Sequence, residues 1–534
     1  MKLIKKLLSY IIAVTMVLSL ATLLGGNVHA EGTATEGNTT TYTLTLTGTA
    51  KGHTYEAYQV FKGDLSGDTL SNIQWGTGID ITKKDDKNHD LIQALKDDTT
   101  LNTKFGSVTD AASVAKALEG VASNSAEMDA FAQVVGKYLS TTSTSQSSSV
   151  NETETKITGL AAGYYLVKDA DNSQNGRPDA YTKFIVQVVG NAEAKIKSGV
   201  PTVTKKVKDI NDSEDSNIDD NAWQDSADHD IGDTVPYQIT GTMPDNIANY
   251  TTYKYMFTDT MSKGLTYTAG KATIKIDGKT VTDSFTEHVT TGDNGTTVTW
   301  SCDNLKGIND PGDSNKKLSI TPSTQVVVTY SAQLNENAVI GAAGNPNTVN
   351  LTYSNNPNKG GESDTGKTPD DKNIVFTYKT VVNKLDQDKK SLKGAAFKLE
   401  KIKSDGTSTV VNEFTAGDAT TFEFTGLDDG NYKLTETTTP AGYNTITPIE
   451  FTISATHDTA SDEPTLTELT VSKVTGEATF TADKTAGSLT TDVVNKKGSN
   501  LPSTGGMGTT LLYVAGGILV ACAAAYVVLN KKRA

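Results

Sequence analysis

The sequence predicts a mainly β chain of tandem immunoglobulin-like β-sandwich domains, the first with an inserted helical segment. Short runs of alternating apolar and polar residues recur along it, as in TVPYQITGTM and TQVVVTYSAQL, separated by turns rich in Gly, Asn and Asp. The length of 534 residues suggests about three or four domains. The chain has only 2 Cys, too few for a disulfide scaffold. A large protein built of β-sandwiches therefore fits best.

The N-terminal end, residues 1–30, has the pattern of a removable secretory signal. Three lysines precede the apolar run LLSYIIAVTMVLSLATLL, and the small residue Ala30 stands before Glu31. A membrane anchor is the alternative interpretation. The small residue at the end of the run favours cleavage after Ala30, and hence a secreted chain.

The C-terminal end, residues 498–534, combines the motif LPSTG, an apolar stretch from Leu511 to Leu529 and a tail of three cations. Such a stretch can cross a bilayer of about 30 Å, with the cations on the cytoplasmic side. A plain single-pass anchor is one interpretation. The order of the three parts resembles the cell-wall sorting signal of Gram-positive surface proteins. That resemblance implies sortase cleavage between Thr504 and Gly505 of the motif Leu501, Pro502, Ser503, Thr504 and Gly505, with only transient contact to the membrane.

Composition excludes several function classes. The formal net charge of −15 argues against a nucleic-acid-binding protein. The 6 His are scattered, so we expect no metal site of His and Cys ligands and no cofactor. The sequence has no Ser/His/Asp spacing and no phosphate loop that would indicate an enzyme. The acidic segment 209–230 offers carboxylates to Ca²⁺ but lacks the Gly and Glu spacing of an EF-hand. We expect a solvated, mobile loop there and leave calcium binding open.

Composition shifts divide the chain between its two ends. Residues 31–198 open with the strand pattern TYTLTLTG and turn helical at DLIQALKDD and DAASVAKALEGV, which predicts a mixed N-terminal domain. Residues 199–357 and 374–497 are rich in strand patterns at the spacing of β-sandwiches. Residues 358–373 are polar, charged and contain Gly, which predicts a linker between these two sandwiches.

The last sandwich carries a family pattern. Its segments VNKLD, LKGAAFKL, GNYKLTETTTPAGY and VVNKK resemble the Cna-B repeats of collagen-binding proteins. In that family a Lys on the first strand bonds to an Asn on the last strand, promoted by a Glu on a central strand. The resemblance implies these roles for Lys384, Asn495 and Glu436. Strand parity agrees, because Lys384 shares the face of Val382 and Glu436 that of Leu434.

The chemistry of an isopeptide bond explains why these residue types occur together. A Lys amine is a nucleophile only when neutral, and burial lowers its pKa. Asn supplies a carboxamide that can lose ammonia. A buried, protonated carboxyl can polarise the carboxamide carbonyl and move the proton. Three polar side chains that all face a core would be costly unless they pair or react.

The middle sandwich resembles the D2-type isopeptide domain of pilins in PTVTKKVKD, IGDTVPYQITGTMPD and NTVNLTYSNNP. The resemblance implies that Lys205 is the nucleophile and Asp259 the promoting carboxylate. For the Asn, both Asn347 and Asn355 share the strand face of Val349, and Asn347 is preferred. The alternative for Asp259 is a cap of the turn that follows it.

The first domain departs from this pattern. Its AGYYLVKD resembles GNYKLTET of the last domain, but Lys168 stands where the promoting Glu would stand. The next residue, Asp169, would face the opposite side of the strand and is a poor substitute. We expect no isopeptide bond in this domain.

Together these features resemble the major (backbone) pilins of Gram-positive sortase-assembled pili. In such pili a Lys near the junction of the first two domains receives the Thr of the next subunit, often within YPK. The junction here reads AEAKIKSGVPTVTKKV and lacks YPK. Its register favours Lys197, with Lys195 as the alternative.

The resemblance implies a structural shaft subunit of a covalent fimbrium anchored to the cell wall, not an enzyme. Its expected partners are identical subunits, a sortase and peptidoglycan, with minor pilins and host surface ligands as further candidates. No nucleic acid is expected. The alternative is a monomeric wall-anchored adhesin that binds host matrix protein or glycan, which would not need the junction lysine.

Overall fold

The computed structural model describes residues 40–49, 51–123, 125–147, 153–171, 173, 179–196, 199–214, 222–362, 364–498 and 507–531. The expected signal peptide, the LPSTG motif and Lys197 lie outside the described residues. Within these ranges the chain is mainly β, with strands arranged in successive two-sheet units and few helices. The predicted fold class is confirmed.

The first unit pairs two small sheets and carries helices between its third and fourth strands. One sheet has the order β5-β1-β8 and the other β3-β2-β6-β7, with β4 beside β2. The strands are β1 (Tyr42–Thr47), β2 (Tyr55–Ser66), β3 (Thr69–Trp75), β4 (Ser145–Gln146), β5 (Glu154–Leu160), β6 (Gly163–Asp169), β7 (Lys183–Val188) and β8 (Ala192–Lys195).

The helical insert of this unit begins where the sequence turns helical. Its helices are α1 (Leu91–Asp97), α2 (Asn102–Phe105), α3 (Ala111–Ala117) and α4 (Ala126–Gly136). The side chains of Asp90, Asp110 and Ser125 cap α1, α3 and α4 by accepting backbone N–H bonds of the first turn. Buried apolar residues such as Leu95 and Phe131 hold the helices against β2 and β6.

The middle unit is a sandwich of two larger sheets. One has the order β10-β9-β12-β21-β15-β16 with β14 beside β21; the other has the order β11-β24-β22-β13-β18-β17 with β23 beside β22. The strands are β9 (Val203–Lys208), β10 (Trp223–Gln224), β11 (Ser226–Asp228), β12 (Thr234–Gly241), β13 (Tyr255–Ser262), β14 (Leu265–Tyr267), β15 (Thr273–Ile276), β16 (Lys279–Thr280), β17 (Thr286–Gly292), β18 (Gly295–Cys302), β19 (Asn309–Asp310), β20 (Asp313–Lys317), β21 (Val326–Leu334), β22 (Asn345–Ser354), β23 (Thr365–Lys367) and β24 (Asp371–Phe376).

The third unit is a smaller sandwich whose first and last strands are neighbours. One sheet has the order β28-β25-β33-β32, in which β25 and β33 run parallel, and the other has the order β27-β26-β29-β30-β31. The strands are β25 (Tyr378–Asp386), β26 (Ala396–Ile402), β27 (Ser408–Phe414), β28 (Thr421–Leu427), β29 (Gly430–Thr438), β30 (Ile449–His457), β31 (Leu466–Ser472), β32 (Phe480–Asp483) and β33 (Ser488–Asn495).

The segment 358–373, predicted to be a linker, is instead part of the middle sandwich. In its described part, β23 pairs with β22, and β24 begins within it and pairs with both β22 and β11. The prediction failed because the polar composition suggested solvation, whereas Asn373 on β24 is fully buried inside the sandwich. The run NIVFTYKTVVNKLD divides at Thr377, with β24 in the middle unit and β25 in the third.

The acidic segment 209–230 also differs from the solvated loop that we expected, in the part that the structure describes. It contains β10 and β11, and the side chains of Asp225 and Asp228 are buried. The reason is that the third unit packs against it: Asp225 accepts a backbone hydrogen bond from Ser461, and Ser226 donates to the carbonyl oxygen of Asp458.

Buried ion pairs join the middle and third units. Lys401 Nζ lies 2.6 Å from Asp230 Oδ2 and 2.5 Å from Asp428 Oδ1. His457 Nε2 lies 3.3 Å from Asp209 Oδ2 and 3.8 Å from Asp228 Oδ1. Breaking one buried pair typically costs about 3–5 kcal/mol, because the remaining charge is left without compensation. These contacts tie the orientation of one sandwich to that of the next.

The C-terminal helix, α5 (Met507–Lys531), contains the apolar stretch Leu511–Leu529. This stretch of 19 residues has a mean hydropathy of 2.3 and is not buried against the rest of the protein. Its length and composition suffice to cross a membrane, which fits the segment expected behind the sorting motif.

The ion pair of His457 predicts a pH-dependent stability of this junction. Burial lowers the pKa of His457, but hydrogen bonds to Asp209 and Asp228 outweigh burial and raise the pKa to about 10. An unfolded histidine titrates near about 6.5. The stabilisation by this ion pair is therefore complete below about pH 6.5 and lost as the pH rises towards 10.

We expect His457→Gln to lower the thermal unfolding temperature at pH 6 and to have a smaller effect near pH 10. Thermal scans of wild type and variant across this pH range would measure the gap between their unfolding temperatures. Groups that do not contact His457 titrate alike in both proteins, so the pH dependence of the difference reports His457 together with its partners Asp209 and Asp228. A gap that is constant with pH would contradict the ion-pair assignment.

Candidate functional site

Lys205, Asp259 and Asn347 come together in the centre of the middle sandwich. Lys205 on β9 comes from one sheet, whereas Asp259 on β13 and Asn347 on β22 come from the facing sheet. Lys205 Nζ donates a hydrogen bond to Asp259 Oδ1 at 2.7 Å. All three side chains are 0% exposed. A lysine and an asparagine from opposite sheets thus share one dry pocket with a carboxyl group.

Strand alternation explains how the sequence brings these polar groups inside. Along β9, Lys205 shares the inward face with Val203 and Val207, while Thr204 is exposed. Along β13, Asp259 alternates with outward-facing neighbours in the same way. The predicted parity of Lys205 agrees with its position in the structure.

Tyr330 on β21 is a fourth member of this group that the sequence analysis missed. Its hydroxyl accepts hydrogen bonds from Lys205 Nζ at 2.6 Å and from Asn347 Nδ2 at 2.9 Å, and donates one to Asp259 Oδ2. The ring also stacks on Tyr237, and Lys205 Nζ lies 5.0 Å from the ring centroid of Tyr330. The alternation in VVVTYSAQL points Tyr330 inward, but only the fold shows what it meets.

Burial shifts this pair of ionisable groups towards its neutral forms. Desolvation lowers the pKa of Lys205, opposed by the attraction of Asp259. Desolvation raises the pKa of Asp259, opposed by Lys205 and by the hydrogen bond from Tyr330. A neutral amine beside a protonated carboxyl is the state in which lysine is a nucleophile and the carboxyl a proton donor.

The structure separates the two candidate asparagines of this domain. Asn347 lies at the lysine, within hydrogen-bond distance of Tyr330. Asn355 lies at the other end of β22, where its Nδ2 donates to the carbonyl oxygen of Asp179 in the first unit at 3.1 Å. Only Asn347 is therefore in position to meet Lys205.

In the third sandwich, Lys384, Glu436 and Asn495 also converge, with a different topology. Lys384 on β25 and Asn495 on β33 belong to adjacent parallel strands, and Glu436 reaches them from β29 of the facing sheet. Asn495 Nδ2 donates to Glu436 Oε2 at 3.1 Å. Lys384 Nζ donates to the carbonyl oxygen of Val493 at 3.1 Å. All three side chains are buried.

The polar groups of this second cluster are only partly satisfied. Burial lowers the pKa of Lys384 to about 8, against the attraction of Glu436. In the part of the chain that the structure describes, Glu436 Oε1 and Asn495 Oδ1 are buried without a hydrogen-bond partner. Unpaired buried oxygens beside a buried amine are costly in a resting structure. Such an arrangement suits groups that react with one another.

The first unit has a different buried pair. Asp169 is fully buried and lies 2.6 Å from His53, whereas Lys168 is partly exposed and contacts Glu56 at 3.3 Å. The expected orientation of the two residues is thus reversed, because the inward position at the end of β6 belongs to Asp169. His53 was not singled out in the sequence.

The junction lysines lie at the end of the first unit. Lys195 is the last residue of β8 and is exposed. Lys197 lies outside the described residues.

The hydrogen bonds of Tyr330 predict the effect of removing its hydroxyl. Tyr330→Phe leaves Lys205 Nζ and Asn347 Nδ2 with one acceptor fewer in a buried site, which should cost about 1–3 kcal/mol of unfolding free energy. Denaturant unfolding in an Asp259→Ala background, where Lys205 and Asn347 are expected to stay unlinked, would measure the loss. Tyr253→Phe is a matched control, since that hydroxyl is buried without a hydrogen-bond partner among the described residues. Equal losses in both variants would contradict the bridging role of Tyr330.

Two parts of the chain match known protein families. Residues 231–357 match the family model "Gram-positive pilin backbone subunit 2, Cna-B-like domain", and residues 379–465 match the SpaA prealbumin-like fold domain. The Trypsin-resistant surface T6 protein of Streptococcus pyogenes is 28% identical over 269 residues, which is 46% of this chain and 44% of the relative. The matched stretch therefore spans less than half of that relative's length.

Among the solved structures that the chain resembles, one reaches a TM-score of 0.50 and supports the same fold. The T6 backbone pilin of serotype M6 Streptococcus pyogenes has a TM-score of 0.50 at 19% identity, over 86% of this chain and 99% of that one. The major pilin SpaD of Corynebacterium diphtheriae has a TM-score of 0.45 at 17% identity, over 86% and 98%. Two domains of the chain thus match families of Gram-positive backbone pilins.

Proposed function

We propose that the chain is the shaft subunit of a covalently polymerised pilus anchored to the cell wall. The observation that carries this proposal is the pair of buried clusters, each with a lysine, a carboxyl group and an asparagine, in domains of the backbone-pilin families. Neither cluster opens to solvent, so a soluble substrate has no route to it. The reacting groups belong to the chain itself, and the product is a cross-linked protein rather than a turnover enzyme.

In the middle sandwich, the bond forms between Lys205 and Asn347. The neutral amine attacks Cγ of Asn347, the protonated Asp259 delivers its proton to the departing nitrogen, and Asp259 regains a proton from Nζ. The C–N bond to Nδ2 breaks, one ammonia leaves, and an amide joins the two side chains. Asp259 already contacts Nζ, and Tyr330 connects it to Nδ2, so the proton path is short.

In the third sandwich, Lys384 and Asn495 react in the same way, with Glu436 as the promoting carboxyl. Glu436 contacts the leaving nitrogen Nδ2 directly at 3.1 Å. The bond would link β25 to β33, the first and last strands of one sheet. In the middle sandwich it would instead link the two sheets across the core. Each bond would prevent a pulling force on the chain from separating the strands that it joins.

The ends of the chain supply the external bond. A sortase would cleave the motif between Thr504 and Gly505 and transfer the Thr504 carbonyl to a junction lysine of the next subunit, or finally to peptidoglycan. The apolar stretch Leu511–Leu529 would hold the chain at the membrane until then. Lys197 is the preferred acceptor; Lys195, exposed at the end of β8, is the alternative. A monomeric adhesin would share the anchor but need neither lysine.

The internal bonds predict the mass of the secreted protein. Intact mass spectrometry should find wild type lighter than its sequence by two ammonia molecules. Asp259→Ala and Glu436→Ala should each restore the mass of one ammonia molecule, because each removes the proton carrier of one cluster. Lys316→Ala, at a lysine with a 77% exposed side chain, should change nothing beyond its own substitution. A wild-type mass equal to the sequence mass would refute both bonds.

The external bond predicts the pattern of wall extracts boiled in SDS. An immunoblot of wild type should show a ladder of high-mass species, and Lys197→Ala should collapse it to monomer. Lys195→Ala and Lys316→Ala should leave the ladder intact. Loss of the ladder in Lys195→Ala alone would move the acceptor to that residue. A single monomer band in wild type would contradict the shaft function and favour the adhesin.

A further inference from the structure

Asn373 on β24 stands directly opposite Asn347 in the antiparallel pairing of β24 with β22. Its side chain is 0% exposed, and neither Oδ1 nor Nδ2 has a hydrogen-bond partner among the described residues. Oδ1 of Asn347 is likewise buried and without a partner there. An amide with both ends unpaired in a core is rare in native proteins and calls for an explanation.

The position of β24 brings this amide close to the reacting groups. Directly opposed residues of an antiparallel pair have Cβ atoms about 4.5–5.5 Å apart on the same face. β24 also lies against the lysine strand, because Asp371 Oδ2 accepts the backbone N–H of Lys205 at 2.6 Å. A rotation of the Asn373 side chain therefore suffices to aim Nδ2 at the carboxamide of Asn347.

Among the described residues, the other groups of the cluster donate no hydrogen bond to Oδ1 of Asn347. Tyr330 accepts from Asn347 Nδ2, which is the leaving-group side. Asp259 is engaged by Lys205 Nζ and by the Tyr330 hydroxyl. When the amine attacks Cγ, the electrons of the C=O bond move to Oδ1, and a donor aimed at that oxygen lowers the barrier.

We propose that Asn373 is a catalytic residue of the Lys205–Asn347 reaction, whose Nδ2 donates a hydrogen bond to Oδ1 of Asn347 as negative charge develops there. The oxygen recovers its double bond when the C–N bond breaks and ammonia leaves, so Asn373 is unchanged at the end. This inference rests on the proposed internal bond of the middle sandwich. In the third sandwich, the residue beside Asn495 across the parallel pair is Asp386, which has no N–H in its side chain.

The test follows the mass of the full secreted chain with time after synthesis. Asn373→Ala removes the donor, and Asn373→Leu removes it while filling nearly the same volume. Removing one oxyanion donor typically slows a reaction about 10²–10³-fold. We expect both variants to lose the ammonia of the third sandwich promptly and that of the middle sandwich at least about tenfold more slowly than wild type. Thr348→Ala, on the outward face of β22 and only partly buried, should react like wild type.

Loss of the third-sandwich ammonia shows that each variant molecule has folded. A second comparison, in an Asp259→Ala background, separates an effect on catalysis from an effect on stability. In Asp259→Ala, where the middle bond does not form, adding Asn373→Leu should not lower the unfolding temperature, because it removes no hydrogen bond and leaves little cavity. Wild-type rates in both Asn373 variants would overturn the role of Asn373 alone. Peptide mapping that finds Lys205 bonded to Asn373 would overturn it by making Asn373 the acceptor. A wild type that never loses the middle-sandwich ammonia would instead overturn the proposed internal bond.

Discussion

The structure depends on keeping a lysine amine inside an apolar β-sandwich. An ammonium in such a core is costly, and burial lowers the pKa of both lysines while it raises the pKa of Asp259. At Lys205 the carboxyl of Asp259 is in direct contact, and at Lys384 the amine meets backbone carbonyls while Glu436 holds the asparagine. The same burial that makes the amine expensive makes it nucleophilic, so one constraint supports both packing and chemistry.

The two sandwiches use this chemistry in different mechanical settings. The middle cluster spans two sheets, and the third cluster spans two parallel strands of one sheet. Between them the junction is held by the ion pairs of Lys401 and His457 and by β24, which completes the middle sandwich and leads directly into β25. The proposed covalent links within domains, together with buried ions between domains, would suit a chain that carries load along its length.

Sequence reasoning reached the inward lysines because strand parity and a family pattern pointed to the same positions. It could not reach Tyr330 or Asn373, because parity gives the face of a residue but not its neighbour on another strand. It treated 358–373 as a linker because polar composition and solvation usually coincide; here Asn373 turns a polar side chain inward, opposite Asn347. The ionic junction was missed for a related reason, since Asp228 and His457 are far apart in sequence.

Single-molecule pulling on the secreted chain, tethered at its two ends, tests the central claim most directly. If Lys205 is bonded to Asn347 and Lys384 to Asn495, the chain between each pair is locked, and force should extend only the first unit and the short segments outside the bonds. Asp259→Ala and Glu436→Ala should each release one further unfolding step. Full extension of both sandwiches in wild type would contradict the account.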